Sequence, residues 1–155
     1  MSSQPYNVRL ANQAFIPTRF DILIDRFNHM YALPHYDVGT TRSAVLDRLK
    51  KFKDILAEEM TELDTIITNV DKGVYVDFDS FRTDLADFLG DVQVYCASEM
   101  DRFNMRNSAI LDIIMESNFS KLGLDGLPIH DERGKVLKGP NYWKPEPTIH
   151  AYLIR

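Results

Sequence analysis

Two short stretches of the chain carry carboxylates at spacings that suit a metal ion and a phosphate. Glu58, Glu59 and Glu62 form the first; Asp84 and Asp87 form the second, with Asp91 one turn further on. Acids three or four positions apart share one face of a helix. Several carboxylates converging on one point repel each other unless a cation neutralises them. A hard divalent ion does so, and magnesium takes oxygen ligands while keeping waters that substrate phosphates can replace. Two such ions polarise a phosphoryl oxygen and supply a hydroxide nucleophile. The plainer alternative is a solvated acidic face with surface salt bridges. A di-iron carboxylate bundle would need Glu-x-x-His pairs, and none of His29, His35, His130 and His150 follows a glutamate at that spacing.

Helices must hold these acids. The periodicity predicts four. The first runs from about Thr18 to Tyr31, with Phe20, Leu23, Ile24, Phe27, Met30 and Tyr31 on one face and Pro34 ending it. The second starts at Thr40 or Thr41, both suited to cap a helix, and runs to about Val70. Its stripe is Val45, Leu49, Phe52, Ile55, Leu56, Leu63, Ile66 and Ile67. Asp71-Lys72-Gly73 begins a break. The third starts after Asp79 or Ser80 and runs to about Phe103, with Phe81, Leu85, Phe88, Val92 and Tyr95 apolar. The fourth covers about Ser108 to Phe119.

On a wheel of the second helix with Glu58 at zero, the apolar stripe spans roughly 60° to 180°. Glu59 falls at about 100°, inside the stripe, and Glu62 at about 40°, on its edge. A carboxylate on a buried face is costly unless a cation or donor meets it. On the third helix Asp84, Asp87 and Asp91 form one ridge bordering the apolar face. If the two helices pack, Glu59 and Glu62 face Asp84 and Asp87.

Composition sets outer bounds. The 155 residues suit one domain spanning 1–155, with a helical bundle over about 18–119 and an arm over about 120–155. The acids number 23 and the bases 18, for a net charge of −5, which argues against a nucleic-acid partner. No apolar run is long enough to span a membrane. The stretch from Met1 to Phe15 lacks the apolar centre of a signal peptide. The single cysteine, Cys96, forms no internal disulfide and reads as packing, so a cytoplasmic setting is expected. From Gly123 to Pro147 the chain holds four glycines, four prolines and no clear period. A loop of that length is uncommon unless it has a function. The expected architecture is all-α, about four helices in a bundle with an irregular C-terminal arm.

EExxE on one helix and acid-x-x-Asp on the next resemble the all-α NTP pyrophosphatase superfamily. Leu85-Ala86-Asp87-Phe88-Leu89-Gly90-Asp91-Val92-Gln93-Val94-Tyr95 is similar to the LaDxxGDixVY segment of its MazG-like branch. Ser117-Asn118-Phe119-Ser120-Lys121 is similar to its SNxSK motif. Asp125-Gly126, followed by Gly134-Lys135-Val136-Leu137-Lys138-Gly139-Pro140-Asn141-Tyr142, is similar to its DG…GKVxKGPxY tail. The resemblance covers about residues 41 to 148 and extends to phosphoribosyl-ATP pyrophosphohydrolases. It implies an intertwined homodimer or a dimer of dimers. It also implies hydrolysis of a nucleotide substrate between the α and β phosphates, giving the monophosphate and pyrophosphate. Magnesium would serve the reaction, with manganese as a substitute. By motif, Glu59, Glu62, Asp84 and Asp87 look like metal ligands, and Asp91 is the next candidate on that ridge. Glu58 looks like a further ligand or the group that orients the attacking water. Asp84 departs from the family's glutamate, and its shorter side chain leaves contact through water as the alternative to direct coordination. Lys121 and Lys138 would bind phosphate oxygens as point charges. Asn118 would meet a base or sugar edge, or hold a helix end. Tyr142 or Trp143 would stack on a base, with packing the other reading for Trp143. The alternative from another class is a non-catalytic helical protein that binds a nucleotide or a partner.

Overall fold

A computed structural model describes residues 6–155; the first residues of the N-terminal stretch discussed above lie outside them. Among the described residues the chain is all-helical: α1 (Val8–Ala11), α2 (Arg19–Met30), α3 (Arg42–Asp71), α4 (Phe78–Arg102), α5 (Asn107–Phe119) and α6 (Pro145–Leu153). There are thus six helices where the periodicity predicted about four. The four expected helices correspond to α2 through α5, within a residue or two at most ends. A lone antiparallel bridge, His130 to Val136, crosses the arm. Among the described residues no helix is long and apolar enough to cross a membrane.

The chain divides into two compact units, Ile22–Asn104 and Met105–Arg155, the latter joined by the N-terminal segment up to Asp21. In the first, α3 packs on α4. Thr41 caps α3 by accepting from the Ala44 N–H at 3.2 Å. α4 begins earlier than expected because Asp77, in an extended conformation, accepts from the Ser80 N–H at 2.7 Å. The turn between them closes on Gly73 (φ 64°), with the Val74 N–H reaching back to the Asn69 carbonyl at 2.9 Å. That is a helix stop in which glycine takes the left-handed position. α2 stops the same way one turn before Pro34, but on Ala32 (φ 50°). Ile24, Ile66, Phe88 and Ala97 are buried, whereas Leu46, Leu49, Ile67 and Val70 on α3 remain exposed.

In the second unit α6 packs on α1 and α5, burying Leu10, Ala109, Ile110, Ile113 and Tyr152. α6 corrects the expectation of an irregular arm. Pro145 stands at its start, where the missing N–H costs nothing and the fixed φ favours a helix. Read only as breakers, the two prolines concealed it. α1 has four residues, too few for any period to register.

Candidate functional site

Glu59 is the residue that the packing of α3 singles out. The stripe that buries Ile66 also carries Glu59 inward, so that only 7% of it is exposed. Its Oε2 atom is fully buried and has no hydrogen-bond partner. Glu99, on α4, is buried to the same 7% but is fully partnered. Arg48 Nε donates to both its oxygens at 3.0 Å, and a second guanidinium nitrogen donates at 2.5 Å. Arg102 adds its charge at 3.8 Å. The fold therefore supplies cations to one buried glutamate and none to the other.

Burial is the main reason that the Glu59 carboxyl is pushed above the usual carboxylate range. Glu62 and then Asp91 push it further, the Tyr95 hydroxyl partly offsets them, and Glu58 adds a small rise. Tyr95 answers in kind: burial raises its phenol, and Glu59, Asp91 and Glu62 all add to that. Glu59, Glu62, Asp91 and Tyr95 thus share one electrostatic neighbourhood. Glu58, Glu62 and Asp91 are themselves exposed, so the group is a buried carboxylate with a solvated acidic rim.

The expectation is that Glu59 and Glu62 face Asp84 and Asp87 across the interface. Asp91, the third acid of the ridge, is the α4 acid that raises the Glu59 carboxyl. Asp84 accepts a hydrogen bond from the Tyr75 hydroxyl at 2.9 Å. With Asp87, Asp79, Arg82 and Thr83 it lines a broad open pocket of about 820 Å³. The Gly73 turn sets the register of α4 on α3, and sequence spacing cannot reveal that. Among the described residues, no three acids, histidines or cysteines gather closely enough to hold a metal ion. The donor chemistry at Glu59 nonetheless fits a hard cation: its buried oxygen has no donor, and the groups that raise it, Glu62, Asp91 and Glu58, are all carboxylates. Tyr95 and Tyr75 are the polar participants that sequence reasoning missed. The signal for Tyr95 was its place one turn beyond Asp91.

The second unit holds Lys121 and Lys138, the two lysines expected to bind phosphate. Lys121 Nζ donates to Asn118 Oδ1 at 2.8 Å, and the Lys138 ammonium sits 4.7 Å from the centre of the Tyr142 ring. The Gly139 N–H donates to the Lys121 carbonyl at 2.8 Å, which brings the two lysine segments side by side. A Cβ at Gly139 would lie 2.0 Å from the Leu122 carbonyl oxygen, so only glycine allows this approach. Buried Ser117 donates to the Trp143 carbonyl at 2.8 Å, and Ser120 Oγ accepts from the Trp143 N–H at 3.2 Å. The SNxSK serines therefore anchor the arm, while Asn118 holds a lysine rather than a helix end. Cys96 is half-buried, and burial followed by Glu99 pushes its thiol up, away from the thiolate that chemistry would need.

No protein-family model matches the sequence, and no curated protein matches it. Among solved structures, the chain is similar to a protein of Exiguobacterium sp. 255-15 described as a "putative NTP pyrophosphohydrolase". The TM-score is 0.51 at 18% identity, covering 90% of this chain and 96% of that one. At that identity the likeness shows a shared all-helical fold, and nothing finer.

Proposed function

We propose that this chain is a magnesium-dependent nucleoside triphosphate pyrophosphohydrolase of the MazG-like branch. It would cleave between the α and β phosphates, releasing the monophosphate and pyrophosphate for nucleotide-pool control. The observation that supports this most directly is the buried, unpartnered Glu59 oxygen beside Glu62 and Asp91. The activity named for the structural neighbour and the SNxSK and KGPxY resemblances point the same way.

In this reading Glu59 would be the anchoring ligand, with Glu62, Asp91 and Asp87 the further acids that would turn toward the ion, and Asp84 a contact through water. Magnesium, or manganese in its place, neutralises the acids when bound and draws charge from the phosphoryl oxygens. Glu58, exposed beside this group, orients the attacking water and takes its proton as oxygen adds to phosphorus and the bridging bond breaks. Lys121 and Lys138 bind phosphate oxygens, and would exchange Asn118 and the Tyr142 ring for them. The exposed apolar residues of α3, Leu46, Leu49 and Ile67, suit a second copy of the chain, since patches of this kind favour being covered. The lone Cys96 suits a reducing cytoplasm.

Pyrophosphate release from a panel of canonical and modified nucleotides with magnesium tests the reading. Turnover of at least one nucleotide that Glu59→Gln abolishes is the expected result. No turnover, with magnesium and a non-hydrolysable triphosphate binding independently in calorimetry, would leave the non-catalytic binding protein.

A further inference from the structure

A pocket of about 360 Å³ opens at the turn between α3 and α4, lined by Asn69, Val70, Tyr75, Phe78 and Phe81. Its walls are aromatic. Phe78 and Phe81 lie 5.7 Å apart at a tilt of 41°, and Tyr75 meets the edge of Phe81 at 5.7 Å. Phe78 is 71% exposed at the start of α4, with the Arg82 guanidinium 5.9 Å from its ring. Exposed rings at a helix start contribute little to a core. They offer flat faces on which another π system can stack, and stacking tolerates any base. Asn69, half-buried at the pocket wall, holds its amide beside the Tyr75 hydroxyl, and an amide can both donate and accept.

Two connections tie this pocket to the acids. The Tyr75 hydroxyl that lines it donates to Asp84 at 2.9 Å, the first carboxylate of the α4 ridge. On α3, Asn69 stands seven positions beyond Glu62. That is two helical turns, on the same face and about 10 Å away. A nucleotide whose phosphates lie at the acids would place its base at that distance.

We propose that the Tyr75–Phe78–Phe81 pocket, with Asn69 at its wall, is a subsite for the planar base of the nucleotide. The proposal rests on the pyrophosphohydrolase reading above. It predicts stacking on Phe78 and one amide contact at Asn69, hence modest discrimination between bases.

The test uses the full chain, wild type and Phe78→Ala, with thermal melts to establish that both fold. Two readouts separate this proposal from the function it rests on. In steady-state pyrophosphate release with magnesium, Phe78→Ala should raise KM about tenfold for purine and pyrimidine triphosphates, the loss of one stacking contact, with kcat held within about twofold. In nuclear magnetic resonance titrations without metal, adenosine and cytidine should perturb Asn69, Tyr75 and Phe78. Hydrolysis with an unchanged KM overturns the subsite and leaves the function standing. Failure of hydrolysis overturns the function, and the nucleoside titration then decides the subsite alone: perturbation at the turn supports it, and perturbation at Asn118 and Tyr142 overturns it. A change in oligomeric state in place of a change in KM makes the pocket a self-contact and likewise overturns the proposal.

Discussion

The α3–α4 pair buries two glutamates to the same depth and treats them oppositely. At one end Glu99 meets Arg48 and Arg102 in a closed ion network. Midway along, Glu59 meets other acids and leaves an oxygen without a donor. The protein can therefore place an arginine where a carboxylate is structural. At Glu59 the fold supplies no such cation. The lysines of the arm carry the same lesson in reverse. They already have partners, so they are held ready rather than left wanting.

The contrast can be broken first at its strong end. Glu59→Gln should lower pyrophosphate release about a thousandfold, since it removes charge where a metal acts. The metal-free protein should melt higher than wild type, because a buried negative charge is gone. Equal activity in the variant would end the contrast. Glu99→Gln should do the opposite, costing about 3 kcal/mol in chemical denaturation because two buried arginines lose their counter-charge. Its response to added magnesium should match wild type.

Acidity sharpens the comparison further. The Glu59 carboxyl ionises above its ordinary value of 4.5 in the folded chain, so the folded state holds a proton that the unfolded chain has released. The resulting stability is fully present below 4.5 and fades as pH rises through the higher folded value. Metal-free wild type should thus gain melting temperature as pH falls from neutral toward that range. Glu59→Gln should show less of this gain, and so should wild type with magnesium. A wild type and a Gln variant that track each other across the range would show that Glu59 is not the group responsible. The smallest effect is expected at Asp84→Asn, which keeps an acceptor for Tyr75. Activity should stay within about threefold of wild type, the scale of one retained neutral hydrogen bond. A loss on the scale of Glu59→Gln would return Asp84 to the metal set.

Much of this was legible in the letters, for identifiable reasons. α3 repeats its apolar residues over 30 positions, so its wheel placed Glu59 inward without knowledge of the fold. Thr41 announced where that helix begins. Which α4 acid meets Glu59 was not legible, because it depends on how the Gly73 turn phases one helix against the other. α6 was hidden by prolines that start a helix when they stand first in it. The exposure of Leu49 and Ile67 could not be read either, since periodicity tells which residues share a face and not what covers it.

The closure at Gly139 has a consequence for the arm as a whole. Its backbone bond to Lys121 pinches the chain into an Ω-loop whose neck is fastened and whose tip, around Gly134, is a tight turn closed on the Asp131 side chain. A loop of that design can change length cheaply, at about 0.6 kcal/mol for each doubling. Insertions near the tip should leave the neck, and the two lysines beside it, where they are. The arm is then a cassette: variable in reach and constant at its base.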